Sequence, residues 1–390
     1  MDDLNIKGLK ISLKTIFEIL PKKPEFPFKK LNFISKIGAG SYGTVLLAKI
    51  ETEKKEEKEI AIKIISVKTN KKDNSDEKRI YKEINLAKNL NHKNIVYSFS
   101  SLNIELKKNL KLYFLFMEKS KYDFHKLLIL LKNNYFGISN NTKDFDYINN
   151  LSELLIKFFI IQLIKIVFFF NSINFLHGDI KPSNILIFKN FVMKICDYSL
   201  TKPIPSKKKT MKIDFGTREY SSYECYLGEI NIEQAGKSDI FSIGCILYNL
   251  QFQESIIKKN FNDEYFINKE NEILENHKKE NDKKNKNKEE NDEKNKIKTM
   301  IEKGIKKEKE CTFYSEEMKN YAIKLLNVYP EDRFNAKEAF DNKWLNEDNE
   351  KLKEINYNNE IEQNMKLLIE LQTNFKGIDS LKRRTRFIID

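Results

Sequence analysis

The stretch Leu176 to Leu186, LHGDIKPSNIL, places Asp179, Lys181 and Asn184 within six residues, between an apolar run and another apolar run. Three polar groups on a short loop between packed elements have the texture of a functional site rather than of a core. An acid at Asp179 can accept a hydroxyl proton, Lys181 can steady a phosphate, and Asn184 can offer an oxygen to a metal. Thirteen residues after Asn184 comes Asp197, closing Lys194-Ile195-Cys196-Asp197. Asn184 and Asp197 together supply hard oxygen donors of the kind Mg²⁺ prefers.

Toward the N-terminus, Gly38-Ala39-Gly40-Ser41-Tyr42-Gly43-Thr44-Val45 lies between two β-like runs, LNFISKIG and TVLLAKI. Glycines let backbone N–H groups approach phosphate oxygens with no Cβ in the way. Dinucleotide-binding folds use the same spacing, but there the glycine turn opens a helix, and here a second strand follows. In the next run, Ile60-Ala61-Ile62-Lys63, Ala61 and Lys63 share one strand face. A small residue there admits an adenine while the lysine reaches phosphates. A lysine inside IAIKII needs a counter-charge. Glu83 is the natural partner, on a run that carries Ile80, Ile84, Ala87 and Leu90 at helical spacing. Taken singly, each has a plainer reading, an edge lysine and a surface glutamate.

Composition narrows the classes. Hydrophobic residues make up 40% of the 390 and aromatics 12%, enough for a substantial core and against global disorder. The net charge of +13 is spread through mixed Lys/Glu/Asn stretches rather than one basic stripe, so nucleic acid is not expected as a partner. Four separated cysteines without a CxxC pair argue against zinc and disulfides and point to an intracellular setting, cytoplasmic or nuclear. The opening MDDLNIKGLK is acidic where a signal peptide would be basic. Ile156 to Phe170, IKFFIIQLIKIVFFF, is interrupted by Lys157, Gln162 and Lys165 and falls short of the roughly 20 apolar residues of a spanning helix. It reads as a buried core helix, as does SDIFSIGCILYNL over 238–250, and no membrane span is expected.

The texture is β-rich to about residue 118 and helical beyond it. Residues 1–30 form an extension whose PKKPEFPF suits an extended lead-in. Residues 268–310 are Lys/Glu/Asn-rich, too polar to pack, and read as a disordered or loosely helical insertion.

In this order the motifs resemble those of the eukaryotic protein kinase superfamily, from about Leu31 to Leu345. HGDIKPSN stands for HRDLKxxN, Asp197-Tyr198-Ser199 for DFG, and Ser222-Tyr223-Glu224 for APE. Gly216-Thr217-Arg218-Glu219-Tyr220 resembles the substrate-docking GTxxY. Asp239 resembles the helix aspartate that supports the catalytic loop. Arg333 in PEDRF resembles the late arginine that pairs with the APE glutamate, here Glu224.

The resemblance implies an α+β, bilobal protein kinase fold over 31–345. It has a small β-rich lobe with one main helix (31–118) and a larger helical lobe (119–345), followed by a tail over 346–390. It implies ATP and Mg²⁺ as cofactors and proteins as substrates. The glycine loop, Gly38 to Gly43, and Val45 would cover the phosphates, with Lys63 paired to Glu83. Met117-Glu118-Lys119-Ser120 would be gatekeeper and hinge, with backbone groups of Glu118 and Ser120 on adenine beside Ala61 and Leu186, and Asp123 toward the ribose. Asp179 would orient and deprotonate the acceptor with Lys181 beside it, and Asn184 and Asp197 would hold Mg²⁺. Lys181 and Thr217 resemble the serine/threonine-directed subgroup.

Two departures qualify the pattern. Gly178 replaces the arginine that grips a phosphorylated activation loop. Ser199 replaces a glycine and lacks its freedom at positive φ. The rival reading is a pseudokinase scaffold that binds nucleotide without efficient phosphotransfer. In the tail, Leu352, Ile355, Ile361, Met365, Leu368 and Phe375 lie near helical spacing, a candidate surface for a regulatory partner.

Overall fold

A computed structural model describes residues 3–6, 9–12, 20, 27–40, 43–52, 55–68, 75–107, 110–129, 153–213, 216–252, 254–257, 283–312 and 314–346. The described residues divide into two units. One runs to Asp123 and adds Asn184–Thr201; the other holds Phe124–Ser183 and continues from Lys202.

The first unit opens with a hairpin of β1 (Asp3–Ile6) and β2 (Leu9–Ser12). Its main sheet consists of β3 (Lys30–Gly40), β4 (Gly43–Glu51), β5 (Glu57–Lys68), β6 (Ser98–Lys107) and β7 (Leu110–Glu118), all antiparallel in the order β3-β4-β5-β7-β6. Helix α1 (Ser75–Asn89) lies between β5 and β6 in sequence. Alternation sorts the side chains. Leu46, Ala48, Ile60, Ile62, Ile64, Phe114 and Phe116 form one buried face, packed with Leu20 and Phe28. The other face carries Val45, Lys63 and Leu115, which stand opposite one another across three strands. A second sheet joins β8 (Tyr122–Asp123), β10 (Ile185–Ile187) and β11 (Met193–Ile195) in the order β11-β10-β8.

In the second unit, α2 (Glu153–Ser172) buries twelve of its twenty residues, the apolar run read from sequence as a core helix. Among the described residues no helix is long and apolar enough to cross a membrane. Strand β9 (Phe175–Leu176) pairs with β12 (Lys202–Pro203), and β13 (Thr210–Lys212) with β14 (Glu229–Asn231). Helix α3 (Tyr223–Leu227) precedes β14 and ends on Gly228. Helix α4 (Lys237–Phe252) buries thirteen of sixteen residues and packs against α2. Then come α5 (Lys283–Glu310), α6 (Glu316–Leu325), α7 (Ala336–Phe340) and α8 (Lys343–Asn346). Ser315 caps α6, and Asn335 with Glu338 forms a capping box on α7, each satisfying otherwise unpaired first-turn N–H groups.

Three sequence expectations change. The 268–310 stretch, expected to be disordered or loosely helical and too polar to pack, is helical from Lys283 and does pack: Ile297 and Ile301 are buried with Phe241, Cys245, Tyr248 and Leu326. Two isoleucines four apart give a charged helix enough of an apolar stripe to dock; residues 268–282 lie outside the described residues. The extension is more than a lead-in, because Leu20 is fully buried and Phe28 stacks edge-on against Phe116. The boundary expected at 118/119 falls after Asp123, and residues 184–201 group with the first unit. Strand β10 pairs with β8 there, and Val96 N–H donates to the Ile195 carbonyl. The tail from 347 lies outside the described residues.

Candidate active site

In the first unit the glycine segment is the end of β3 and the start of β4, with Gly38 opposite Val45, Ala39 opposite Thr44 and Gly40 opposite Gly43. Ser41 and Tyr42 lie outside the described residues. A Cβ on Gly43 would stand 2.3 Å from the Ile64 carbonyl oxygen, so only glycine lets β4 and β5 approach this closely. On β5, Ala61 stands opposite Leu47 and Met117, two residues from Lys63 and on the same face. The strand register alone therefore gathers Gly38, Val45, Ala61 and Lys63.

Lys63 Nζ donates to Glu83 Oε1 at 2.6 Å and lies 3.4 Å from Asp197 Oδ1. Glu83 is 3% exposed, which settles against the surface-glutamate reading. Burial by itself would lower the Lys63 pKa, but the charges of Asp197 and Glu83 outweigh it and the ammonium is held above its ordinary value. Burial lifts the Glu83 carboxyl, against the pull of Lys63. The amine is thus a fixed cation on a sheet face that also carries a small residue and the glycine turn.

Asp197 has φ 69°, the left-handed region, at a cost of roughly 1–2 kcal/mol for a residue with a Cβ. Its Oδ1 accepts from Ser199 N–H at 3.4 Å and faces Lys63, contacts that hold this turn. Ser199 itself is not at positive φ, so the conformational burden expected of the glycine position rests on Asp197 instead. The Cys196 N–H donates to the Asn184 carbonyl at 2.9 Å, which sets Asn184 beside the residue that precedes Asp197. One amide and one carboxylate fit Mg²⁺, which takes few protein ligands and completes its shell with water and phosphate. No group of three His, Cys, Asp or Glu among the described residues is arranged for a metal. Burial pushes the Cys196 thiol up to about 12, so it stays protonated and is a poor nucleophile.

At the expected hinge, Glu118 closes β7 and its carboxylate is committed: Oε1 accepts from Tyr97 N–H at 2.7 Å and from Lys194 Nζ at 2.5 Å. Asp123 stands opposite Leu186 in the β8–β10 pair, two expected nucleotide contacts in one register. Lys194 was not singled out in sequence. Its signal was alternation, with Met193 and Ile195 inward and the lysine outward.

The second unit holds the other residues. Asp179 Oδ1 accepts from Thr217 N–H at 3.1 Å and Thr217 Oγ1 at 2.9 Å, and Oδ2 lies 2.7 Å from Lys181 Nζ. Lys181 also donates to Thr217 Oγ1 at 2.6 Å, which closes a three-residue network. Beneath it, Asp239 on α4 accepts from His177 N–H at 2.8 Å and Gly178 N–H at 2.9 Å. Burial raises the Asp239 carboxyl to about 7, against those two hydrogen bonds. One turn along α4, Ser242 donates to the Tyr220 carbonyl at 2.8 Å and so holds the Thr217 turn. Gly178 has φ 81°, which glycine adopts without the strain a Cβ would bring. Arg333 and Glu224 form a bidentate pair at 2.6 and 3.2 Å, and the guanidinium spends its remaining donors on the carbonyls of Asn327, Lys237 and Val328.

Residues 31–345 match the protein kinase domain family. The chain belongs to that family. Similar proteins include mitogen-activated protein kinase 13 of Arabidopsis thaliana, 27% identical over 242 residues, 62% of this chain and 60% of that one. Mitogen-activated protein kinase 3 of the same plant is 31% identical over 215 residues, 55% and 51% of the two chains. A probable cell division protein kinase of Encephalitozoon cuniculi is 29% identical over 214 residues, 55% and 68%. The chain spans about half to two thirds of the length of these relatives. Within the kinase domain, the two sets of side chains are held differently: strand register and ion pairs set the first, while helix α4 and a threonine turn set the second.

Proposed function

We propose that this kinase domain transfers the γ-phosphate of ATP to serine or threonine hydroxyls of proteins inside the cell. The observation that carries the reading is Lys63, a buried cation held by Glu83 and Asp197 on the face that carries Ala61 and the glycine turn. A fixed positive charge there orients a phosphate chain without reorganisation during the reaction. Backbone groups of Glu118 and Ser120 would take the adenine, with Ala61, Val45 and Leu186 against its faces and Asp123 toward the ribose. The loop Gly38 to Gly43 would cover the phosphates. Asn184 and Asp197 would hold Mg²⁺, which neutralises phosphate charge when bound.

Asp179 accepts the proton of the attacking hydroxyl. Thr217 fixes its Oδ1, so the carboxylate presents one orientation to the acceptor. Lys181, already 2.7 Å from Oδ2, places a cation where charge builds on the transferring group. The protein's contribution is positioning and charge, with no covalent step on the chain.

The test is transfer of labelled phosphate from ATP-Mg²⁺ to a degenerate peptide library by the purified chain and by Asp179→Asn. The wild type should label serine and threonine peptides, and the variant should lose about 10²–10⁴-fold in rate, the usual worth of a positioned acid–base group. A wild type that binds ATP but labels neither peptides nor itself would establish the scaffold reading.

A further inference from the structure

Besides the Lys63–Glu83 pair, helix α1 meets the sheet through a second charged contact. Near its start, Glu77 Oε1 accepts from Tyr113 Oη at 2.6 Å and from Lys111 Nζ at 2.8 Å. Both donors are on β7, opposite Ile65 and Val67 of β5, and they alternate with Leu115, which stands opposite Lys63. They are therefore on the sheet face that carries Lys63. Tyr113 is 2% exposed, and its ring meets that of Tyr81, one turn after Glu77, edge-on at 5.4 Å.

The angular placement gives the second attachment its meaning. At about 100° per residue, Glu77 and Glu83 lie about 120° apart around the helix, with Ile80 and Ile84 between them. The two carboxylates flank the buried apolar stripe, one on each side. Two isoleucines on a β-sheet resist lifting the helix but barely resist rolling it, because apolar contact is non-directional. A charged hydrogen bond on each flank opposes roll in both senses. A modest roll would move Glu83 away from Lys63, since that contact is directional.

We propose that Glu77, held by Tyr113 and Lys111, is a positioning residue that sets the roll of α1 and so keeps Glu83 on Lys63. For its effect on turnover the inference rests on the phosphotransfer reading above. For its effect on α1 it does not.

The experiment compares wild type with Glu77→Ala, Tyr113→Phe, Glu77→Lys, Lys111→Glu and the double variant Glu77→Lys/Lys111→Glu. Turnover of a peptide substrate and hydrogen exchange across 75–89 are both measured. Glu77→Ala and Tyr113→Phe should lower kcat about tenfold, some 1.4 kcal/mol of transition-state stabilisation, with KM for the peptide nearly unchanged. Amides of α1 should exchange faster while those of β4 and β5 do not. The charge-exchanged double variant should recover most of what each of its single changes loses, which a mere loss of packing would not allow. The proposal is overturned if Glu77→Ala leaves turnover and α1 exchange at wild-type values, or if the double variant is no better than its worse parent. Should the wild type transfer no phosphate, the phosphotransfer reading fails and exchange alone decides: faster α1 exchange in Glu77→Ala supports the clamp, unchanged exchange refutes it.

Discussion

Helices α1 and α4 each carry a buried carboxylate, Glu83 and Asp239, and they are secured in opposite ways. α4 is buried over thirteen of sixteen residues, and Asp239 accepts from two backbone N–H groups. α1 leaves Tyr81 half exposed and holds its place through side chains, Glu83 on Lys63 and Glu77 on Lys111 and Tyr113. Burial on all sides makes a position costly to leave, whereas a few charged contacts make it adjustable. On the proposed function, the loop that handles the acceptor is backed by a buried helix through Asp239, while the lysine that meets the nucleotide is paired to a helix held by side-chain contacts.

The largest effect is expected at Arg333, beside α4. Its guanidinium is fully buried, pairs with Glu224 and lies over the Phe241 ring of α4 at 5.0 Å. Removing one member of such a pair strands the other charge in the interior. Arg333→Ala should cost about 3–5 kcal/mol of unfolding free energy, measured by denaturant titration. A loss below about 1 kcal/mol, the level of an exposed pair, would mean that the surroundings of α4 are far softer than described.

A smaller effect is expected at the far end of α4, where Gln251 meets α5. Glu308 of α5 is fully buried; Oε1 accepts from Gln251 at 2.6 Å, and Oε2 has no hydrogen-bond partner among the described residues. Burial raises its pKa from 4.5 to about 7, against Gln251, Lys319 and Lys307. Between those values the folded chain keeps a proton that the unfolded chain has released, so stability contributed by this group falls as pH rises through 7. Glu308→Gln mimics the protonated acid. Its stability relative to wild type should therefore rise by about 2–3 kcal/mol between pH 5 and pH 8, at 1.36 kcal/mol per pKa unit. Melting curves at the two pH values check it, and a pH-independent difference would remove Glu308 as the cause.

Much of this was legible in the sequence because it depends on local spacing. Alternation in IAIKII gave the face shared by Ala61 and Lys63, and the all-round apolar run over 238–250 gave a buried helix. Motif order gave the pairs Lys63–Glu83 and Glu224–Arg333, whose members are 20 and 109 residues apart. What the sequence hid is what tertiary register decides. Glu77 reads as an ordinary acidic first-turn residue, good for the helix dipole, until β7 brings Tyr113 and Lys111 to it. The stretch around Ile297 looked unpackable because composition averages over a helix, while docking needs only one stripe. Ser199 stands where the motif has glycine, but it is Asp197 that has positive φ.

On the proposed function the two units divide the work, with Lys63 serving the nucleotide and Asp179 the acceptor. The most direct measurement pairs the ATP-Mg²⁺-induced rise in melting temperature with phosphate transfer in the same preparations of wild type, Lys63→Met and Asp179→Asn. Ligand stabilisation follows RT ln(1 + [L]/Kd), so a tenfold weaker site removes about 1.4 kcal/mol of it at saturating nucleotide. Lys63→Met should lose both the thermal shift and transfer, while Asp179→Asn should keep the shift and lose transfer. An equal shift in wild type and Lys63→Met, or a shift lost in Asp179→Asn, would contradict that division of roles.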